Sequence, residues 1–252
     1  MPENVRSTER ALDLLEILSE ERGAISLTEL ASRASLSKTT AHRLMQTLCA
    51  RNYAIKTADS KYLVGPKVIE LASYHIEHLE LYNIAKPYLS ELYSAYKMTV
   101  YLGKVVNGKV VYIEVIDRKS LYVREEESGL GVPAYPASIG KCMYAAMSGD
   151  EIDEMLYNHP LERYTDKTIT DPAEYKKVLM QVRKDGWAIN DEEYLRGSRC
   201  VGAPVYDYTG ATIACIAMNG DLDELSDEKL PIIVEAVKNT AALVSKGMGY
   251  LP

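Results

Sequence analysis

Ser26-Leu27-Thr28-Glu29-Leu30-Ala31-Ser32-Arg33-Ala34, followed by Ser35-Leu36-Ser37 and then by Lys38-Thr39-Thr40-Ala41-His42-Arg43-Leu44-Met45-Gln46, is the stretch whose reading decides the fold. In the first run Leu27, Leu30, Ala31 and Ala34 recur at helical spacing, which predicts a short amphipathic helix. Ser35-Leu36-Ser37 breaks that pattern, and Ser37 is a good N-cap for a second helix from Lys38 to about Arg51. The second helix divides into two faces. Ala41, Leu44, Met45 and Leu48 fall on one side, while Thr39, His42, Arg43 and Gln46 fall on the other. A face of hydroxyl, imidazole, guanidinium and amide groups suits the hydrogen-bond pattern of a DNA major groove. Residues 53–57 and 61–64 read as two short strands turning at Ala58-Asp59-Ser60, a wing beside the second helix.

A small helical module with a merely solvated polar face has the same pattern, and charge separates the two readings. Between Arg33 and Lys67 lie seven basic residues, at 33, 38, 43, 51, 56, 61 and 67, against the single acidic Asp59. The whole chain carries a formal charge of −7, so this basic segment is segregated. It is the footprint of a phosphate-binding surface, because neutralising phosphates releases condensed counterions. The DNA contacts expected are Thr39, Thr40, His42 and Arg43 to bases, with Ser37, Lys38 and the wing residue Lys61 serving mainly phosphates.

Outward from this unit, residues 8–20 form an amphipathic helix with Ala11, Leu12, Leu15 and Leu18 inward, completing a three-helix core. Gly65-Pro66 punctuates, and Lys67 to about Leu79 reads as a linker helix that would set the spacing of two recognition helices if chains associate there. The expected division is a winged helix-turn-helix domain at 1–65, a linker helix at 66–80 and a second domain at 81–252. The first 75 residues hold ten Lys+Arg against nine Asp+Glu and the remainder nineteen against twenty-seven, so the second domain is acidic. Nucleic acid does not belong there. No apolar run of about 18 residues is present for a membrane helix, and Met1 to Arg6 opens without a signal-peptide core, which makes the expected location cytoplasmic.

The second domain reads as α+β. Helices are expected at 84–96, 138–147, 151–156, 173–184 and from Leu230 to the C-terminal region, and strands at 99–104, 109–116, 121–124, 187–190, 200–206 and 212–218. Asn107-Gly108 and Thr209-Gly210 mark hairpins, so the sheet is antiparallel and covered by helices, a sensor-like rather than a dinucleotide-binding fold.

Catalytic signatures are missing: Gly140-Lys141 lacks the upstream glycine of a P-loop, and no nucleophile elbow occurs. The four cysteines, at 49, 142, 200 and 215, include no CxxC pair and read as reduced thiols; no metal and no cofactor is expected. A hydrolase using Cys200 is the alternative function. Asp191-Glu192-Glu193 reads as a solvated loop charge run. Ser138-Ile139-Gly140-Lys141 opens a helix whose first amides, lacking intrahelical partners, either hold an anion or are simply capped. The chain has 19 Tyr and no Phe.

Several separated blocks resemble the isocitrate lyase regulator (IclR) family of bacterial transcription factors. They are Arg10-Ala11-Leu12-Asp13-Leu14-Leu15, Leu27-Thr28-Glu29-Leu30-Ala31 with Lys38-Thr39-Thr40-Ala41-His42-Arg43-Leu44, Tyr62-Leu63-Val64-Gly65, Ser138-Ile139-Gly140-Lys141, 186–193 and 197–207. The resemblance implies a regulator with an N-terminal winged helix and a C-terminal effector-binding, GAF-like domain, acting as a homodimer or tetramer on palindromic operators in response to a small organic acid. It places the effector pocket at Ser138, Ile139, Asn190, Cys200, Ala217 and Asn219. Asn190 stands where the family often has an acidic residue, Ala217 where Ser can occur, and Tyr135-Pro136 where His-Ala is usual. Arg124 either points inward to pair with a carboxylate or faces solvent beside Glu125 and Glu126. For chain-to-chain contact the candidates are the 82–92 and 67–79 helices, unless their apolar stripes pack within their own domains.

Overall fold

Leu14 and Leu18, one helical turn apart, are the buried centre of α1 (Arg6–Glu20). Leu12 lies on the opposite side and is 52% exposed, so the inward face is rotated from the one expected at Ala11, Leu12, Leu15 and Leu18. β1 (Ile25–Ser26) follows, then α2 (Leu27–Arg33) and α3 (Lys38–Ala50). Ser26 caps α2 by accepting from the Glu29 amide, and the turn between the helices is closed by the Leu36 amide donating to Ala31 O at 2.8 Å. β2 (Ala54–Lys56) and β3 (Lys61–Val64) make the wing. The three strands form an antiparallel sheet in the order β1-β3-β2, with Ile25 opposite Tyr62 and Ile55 opposite Leu63. A two-residue strand has no periodicity to read, which is why β1 is invisible in sequence. Leu14, Leu18, Ile25, Leu30, Met45, Leu48, Ala54 and Tyr62 close the core.

The computed structural model describes residues 5–21, 23–71, 80–117 and 132–251, in two compact units, 5–71 and 80–251. Residues 67–71 are helical. The rest of the expected linker helix, the expected 121–124 strand and Arg124 lie outside the described residues.

The second unit is built on a six-stranded antiparallel sheet in the order β6-β5-β4-β9-β8-β7. Its strands are β4 (Thr99–Val106), β5 (Lys109–Ile116), β6 (Val132–Pro133), β7 (Ala188–Asp191), β8 (Ser198–Tyr206) and β9 (Thr212–Asp221). Asn107 at φ 50° and Gly108 at φ 74° make the tight turn joining β4 and β5, as the Asn-Gly pair requires. Alternation along the strands divides the sheet into two faces. Val100, Leu102, Val201, Ala203, Ala214, Ile216 and Met218 pack under α4 (Glu80–Tyr96) and α8 (Leu230–Gly247). Tyr101, Ala188, Cys215 and Ala217 face α5 (Ser138–Ala145), α6 (Gly149–Asn158) and α7 (Pro172–Asp185). The result is a sheet with a helical layer on each side.

The apolar stripe of α4, Leu81, Ala85, Leu89 and Leu92, is spent on its own domain core, so it is not this stripe that would meet a second chain. Buried phenols find carbonyl acceptors: Tyr175 Oη donates to Tyr135 O at 3.0 Å, and Tyr135 Oη donates to Glu162 O. The first ties the helix that carries Tyr175 to the loop at Tyr135, and the second ties that loop to the one at Glu162, where Phe would only fill space. No helix among the described residues is long and apolar enough to cross a membrane.

Candidate functional site

Two sites emerge, one in each unit. In the first, Ser37 fixes the start of α3 by accepting from the Thr40 amide at 3.2 Å, and its hydroxyl also meets Thr40 Oγ1 at 2.8 Å. Ala41, Met45 and Leu48 bury the inner face, so rotation of the helix is set by packing. Lys38, Thr39, Arg43 and Gln46 are left exposed, with Thr40 and His42 half-buried beside them. The wing turn is held by the Thr57 hydroxyl, which accepts from the Lys61 amide at 3.0 Å and donates to Asp59 Oδ1 at 2.5 Å. That bond, with Lys61 Nζ 3.3 Å away, keeps the Asp59 carboxyl below its usual range.

The seven cations of this segment are not equivalent. Arg33 pairs with Glu20 and Glu21, Lys67 pairs with Glu70, and Lys61 pairs with Asp59. Lys38, Arg43, Arg51 and Lys56 have no carboxylate within ion-pair distance among the described residues. The unneutralised charge therefore sits on α3, at its C-cap and on the wing, next to the polar face.

In the second unit, pairing register brings together residues far apart in sequence. Asn190 lies opposite Cys200, Cys200 opposite Asn219, and Asn219 opposite Thr99, a row across β7, β8, β9 and β4. Ala217 lies in the next row, opposite Gly202 and Tyr101, and is fully buried, so it floors the site rather than opening onto it. The start of α5 lies over these rows. A Cβ on Gly140 would fall 1.7 Å from Ala134 O, so the loop before α5 lies against this helix only at a glycine, and one on Gly202 would fall 3.1 Å from Ser138 Oγ, a tight approach between sheet and helix. Ser138 Oγ donates to Cys200 Sγ at 3.2 Å.

The N-cap of α5 is Ala137, which offers no side-chain acceptor. Its amides at Ser138 and Ile139 have no hydrogen-bond acceptor among the described residues. Asn190 Oδ1 accepts from the Glu193 amide at 2.9 Å, leaving Nδ2 without a partner among the described residues. Asn219 Nδ2 donates to Ser198 Oγ at 2.8 Å and to Arg199 O at 3.0 Å, leaving Oδ1. Of the expected pocket residues, Ser138, Ile139, Asn190, Cys200, Ala217 and Asn219 are thus gathered on one side of the sheet.

Beneath them is a feature the sequence reading missed. Lys141, 1% exposed, forms a buried ion pair with Glu193 and donates to Ile189 O at 2.8 Å, tying α5 to β7 and the turn after it. Burial lowers the Lys141 ammonium, opposed by Glu193, and raises the Glu193 carboxyl, opposed by Lys141. The Asp191-Glu192-Glu193 run is therefore not a solvated loop. Glu192 and Glu193 are 8% and 6% exposed, Lys167 serves Glu192 and Asp191, and Arg199 serves Asp191 and Asp227. A lysine inside Ser138-Ile139-Gly140-Lys141-Cys142-Met143-Tyr144-Ala145, otherwise uncharged, was the signal for a buried partner.

Comparison with known proteins places both units. The model of the IclR helix-turn-helix domain matches residues 7–56, and that of the bacterial transcriptional regulator IclR C-terminal domain matches residues 73–246. The chain is 33% identical over 252 residues to the HTH-type transcriptional regulator KdgR of Escherichia coli K12, covering 99% of this chain and 95% of that one. It is 27% identical to the transcriptional repressor IclR of the same organism, over 93% of this chain and 88% of the repressor. The crystal structure of an IclR transcriptional regulator from Alicyclobacillus acidocaldarius matches with a TM-score of 0.82 at 27% identity, covering 98% of this chain and 100% of that one. These relatives are regulators, and the alternative of a Cys200 hydrolase finds no support among them. The chain belongs to the IclR family, a transcriptional regulator with a DNA-binding helix-turn-helix unit followed by an effector domain.

Proposed function

We propose that the protein is a homo-oligomeric repressor of a catabolic operon, acting in the cytoplasm, that reads a palindromic operator through α3 and answers to a small organic acid in its C-terminal domain. The observation that carries the reading is the outward face of α3, polar, largely exposed and carrying or flanked by four cations that have no counter-ion among the described residues. Thr39, His42 and Arg43 reach base edges, and Thr40, whose hydroxyl is shared with Ser37, offers its methyl. Ser37, Lys38 and Lys61 serve phosphates, which position the helix without reading sequence. One such helix covers only a half-site, so two chains act together. The contact falls on the 67–71 helix, where Val68, Ile69 and Leu71 are 38%, 70% and 46% exposed.

In the effector domain the Ser138 and Ile139 amides and Asn190 Nδ2 are donors suited to a carboxylate, and Asn219 Oδ1 is an acceptor suited to a hydroxyl. Cys200 and Ala217 form wall and floor, and Arg124 supplies a cation. Asn in place of an acid at 190 removes a charge that would oppose a second carboxylate, favouring dicarboxylates or aromatic acids. A thermal-shift screen tests this. Ligand at about a hundredfold excess over Kd stabilises by about 2.7 kcal/mol. The expected result is a carboxylate hit abolished by Asn190→Asp, which keeps the acceptor for the Glu193 amide but restores the charge. Stabilisation only by neutral sugars or amines would overturn the reading.

A further inference from the structure

β7 ends the sheet early. It pairs with β8 only from Arg199 to Gly202, whereas β8 runs on to Tyr206, so the last four residues of β8 have no strand partner on that side among the described residues. Between this free edge and the C-terminal half of α8 lies a groove of about 810 Å³, within the usual range for small-molecule sites. Its walls are mainly apolar: Ala203, Pro204 and Tyr206 on β8, and Ala241, Ala242 and Leu243 on α8.

A free strand edge ordinarily recruits another strand, but this one is stripped of donors. Pro204 has no N–H, and the Tyr206 N–H, two residues on and so on the same edge, donates to Ser245 Oγ at 2.9 Å. An extended peptide would find nothing to receive its carbonyls. The groove favours an occupant that brings apolar surface and few hydrogen-bonding groups.

Charge narrows the choice. The lining includes Lys238 and Lys246 and no Asp or Glu, within a domain whose acidic residues outnumber its basic ones. Lys238 Nζ donates one bond to Asp185 O at 3.1 Å, and Lys246 has no ion pair among the described residues. An apolar trough with ammonium groups at its rim complements a molecule with a hydrocarbon body and one anionic end.

We propose that this groove is a second ligand site of the effector domain, taking an amphipathic carboxylate of medium-chain fatty-acid type. It is separate from the Ser138–Asn190–Asn219 site. The single tryptophan of the chain, Trp187, adjoins the lining residue Gly186 and packs partly buried on the core beneath α8, so the full-length protein carries its own reporter.

Titrating octanoate while following Trp187 emission tests the proposal, with octanol, octylamine and acetate as comparisons. The expected result is saturable binding of octanoate, with octanol and octylamine weaker by about tenfold or more. Lys246→Glu should weaken octanoate about tenfold and leave octanol unchanged. Ala242→Phe, at an exposed position that faces the groove, should abolish binding without changing the melting temperature. Equal affinity for octanol and octanoate, or undiminished octanoate binding in Ala242→Phe, overturns the proposal. Loss of octanoate binding in Asn190→Asp places the ligand in the other site and also overturns it. A change in sedimentation of Ala242→Phe with octanoate binding intact makes the groove a contact between copies, again against the proposal.

Discussion

The outward face of α3 and the Asn190–Cys200–Asn219 row are the two candidate recognition surfaces, and they are made in opposite ways. The α3 face comes from one contiguous helix, and its working groups point into solvent with their charge unneutralised. The row comes from three strands, covered by the start of a helix some fifty residues earlier in the chain, and the charges beneath it, Lys141 and Glu193, are buried as a pair. The first needs only helix periodicity and a cap to exist. The second exists only when the sheet register, the close approach at Gly140 and the Lys141–Glu193 pair are all in place. Damage should therefore show as lost affinity in the first region and as lost stability in the second.

Lys141→Met gives the largest effect. Removing one partner of a buried ion pair leaves the other uncompensated, which costs about 3–5 kcal/mol in thermal or denaturant unfolding. The pH dependence should identify the cause. The Glu193 carboxyl is already raised by burial and rises further without Lys141, so the folded state binds more protons than the unfolded state above the ordinary Glu range. The variant should regain stability as pH falls from 8 toward 5. Stability loss that is the same at both pH values would show that the pair is not what holds the region.

Ile69→Glu sharpens the comparison from the other side, because Val68, Ile69 and Leu71 of the first unit are exposed, with no covering partner among the described residues. A charge at the centre of such a contact should cost about 2 kcal/mol of association, seen as a lower sedimentation mass at low micromolar concentration. A parent protein that already sediments at 28.1 kDa would remove the oligomer from the account. Ser37→Ala is the smallest change, about 1 kcal/mol, since it deletes the α3 cap and leaves the packed face intact. Unfolding midpoints of the two proteins decide it.

The same contrast explains what could be read in the sequence. Ser37 as cap, the division of α3, the wing turn and both Gly-containing hairpins are local chemistry, and each is where residue order places it. β1 was hidden because two residues carry no period, and Leu12 was misplaced because one residue's rotation on a helix depends on what packs against it. In the second unit, the resemblance named residues that strand register gathers on one side of the sheet, but nothing in residues 138–141 says that Glu193 lies beneath them. That pairing is a consequence of strand order, and a charge run such as Asp191-Glu192-Glu193 looks solvated until the cations Lys141, Lys167 and Arg199 are brought to it.

The most direct test of the account is the affinity of full-length protein and Arg43→Ala for two duplexes of one length, an operator fragment selected by the protein and its shuffled sequence. The account predicts that Arg43→Ala loses about 1–3 kcal/mol on the operator and much less on the shuffled duplex, because α3 reads bases. Equal losses on both, or no loss on either, would contradict it.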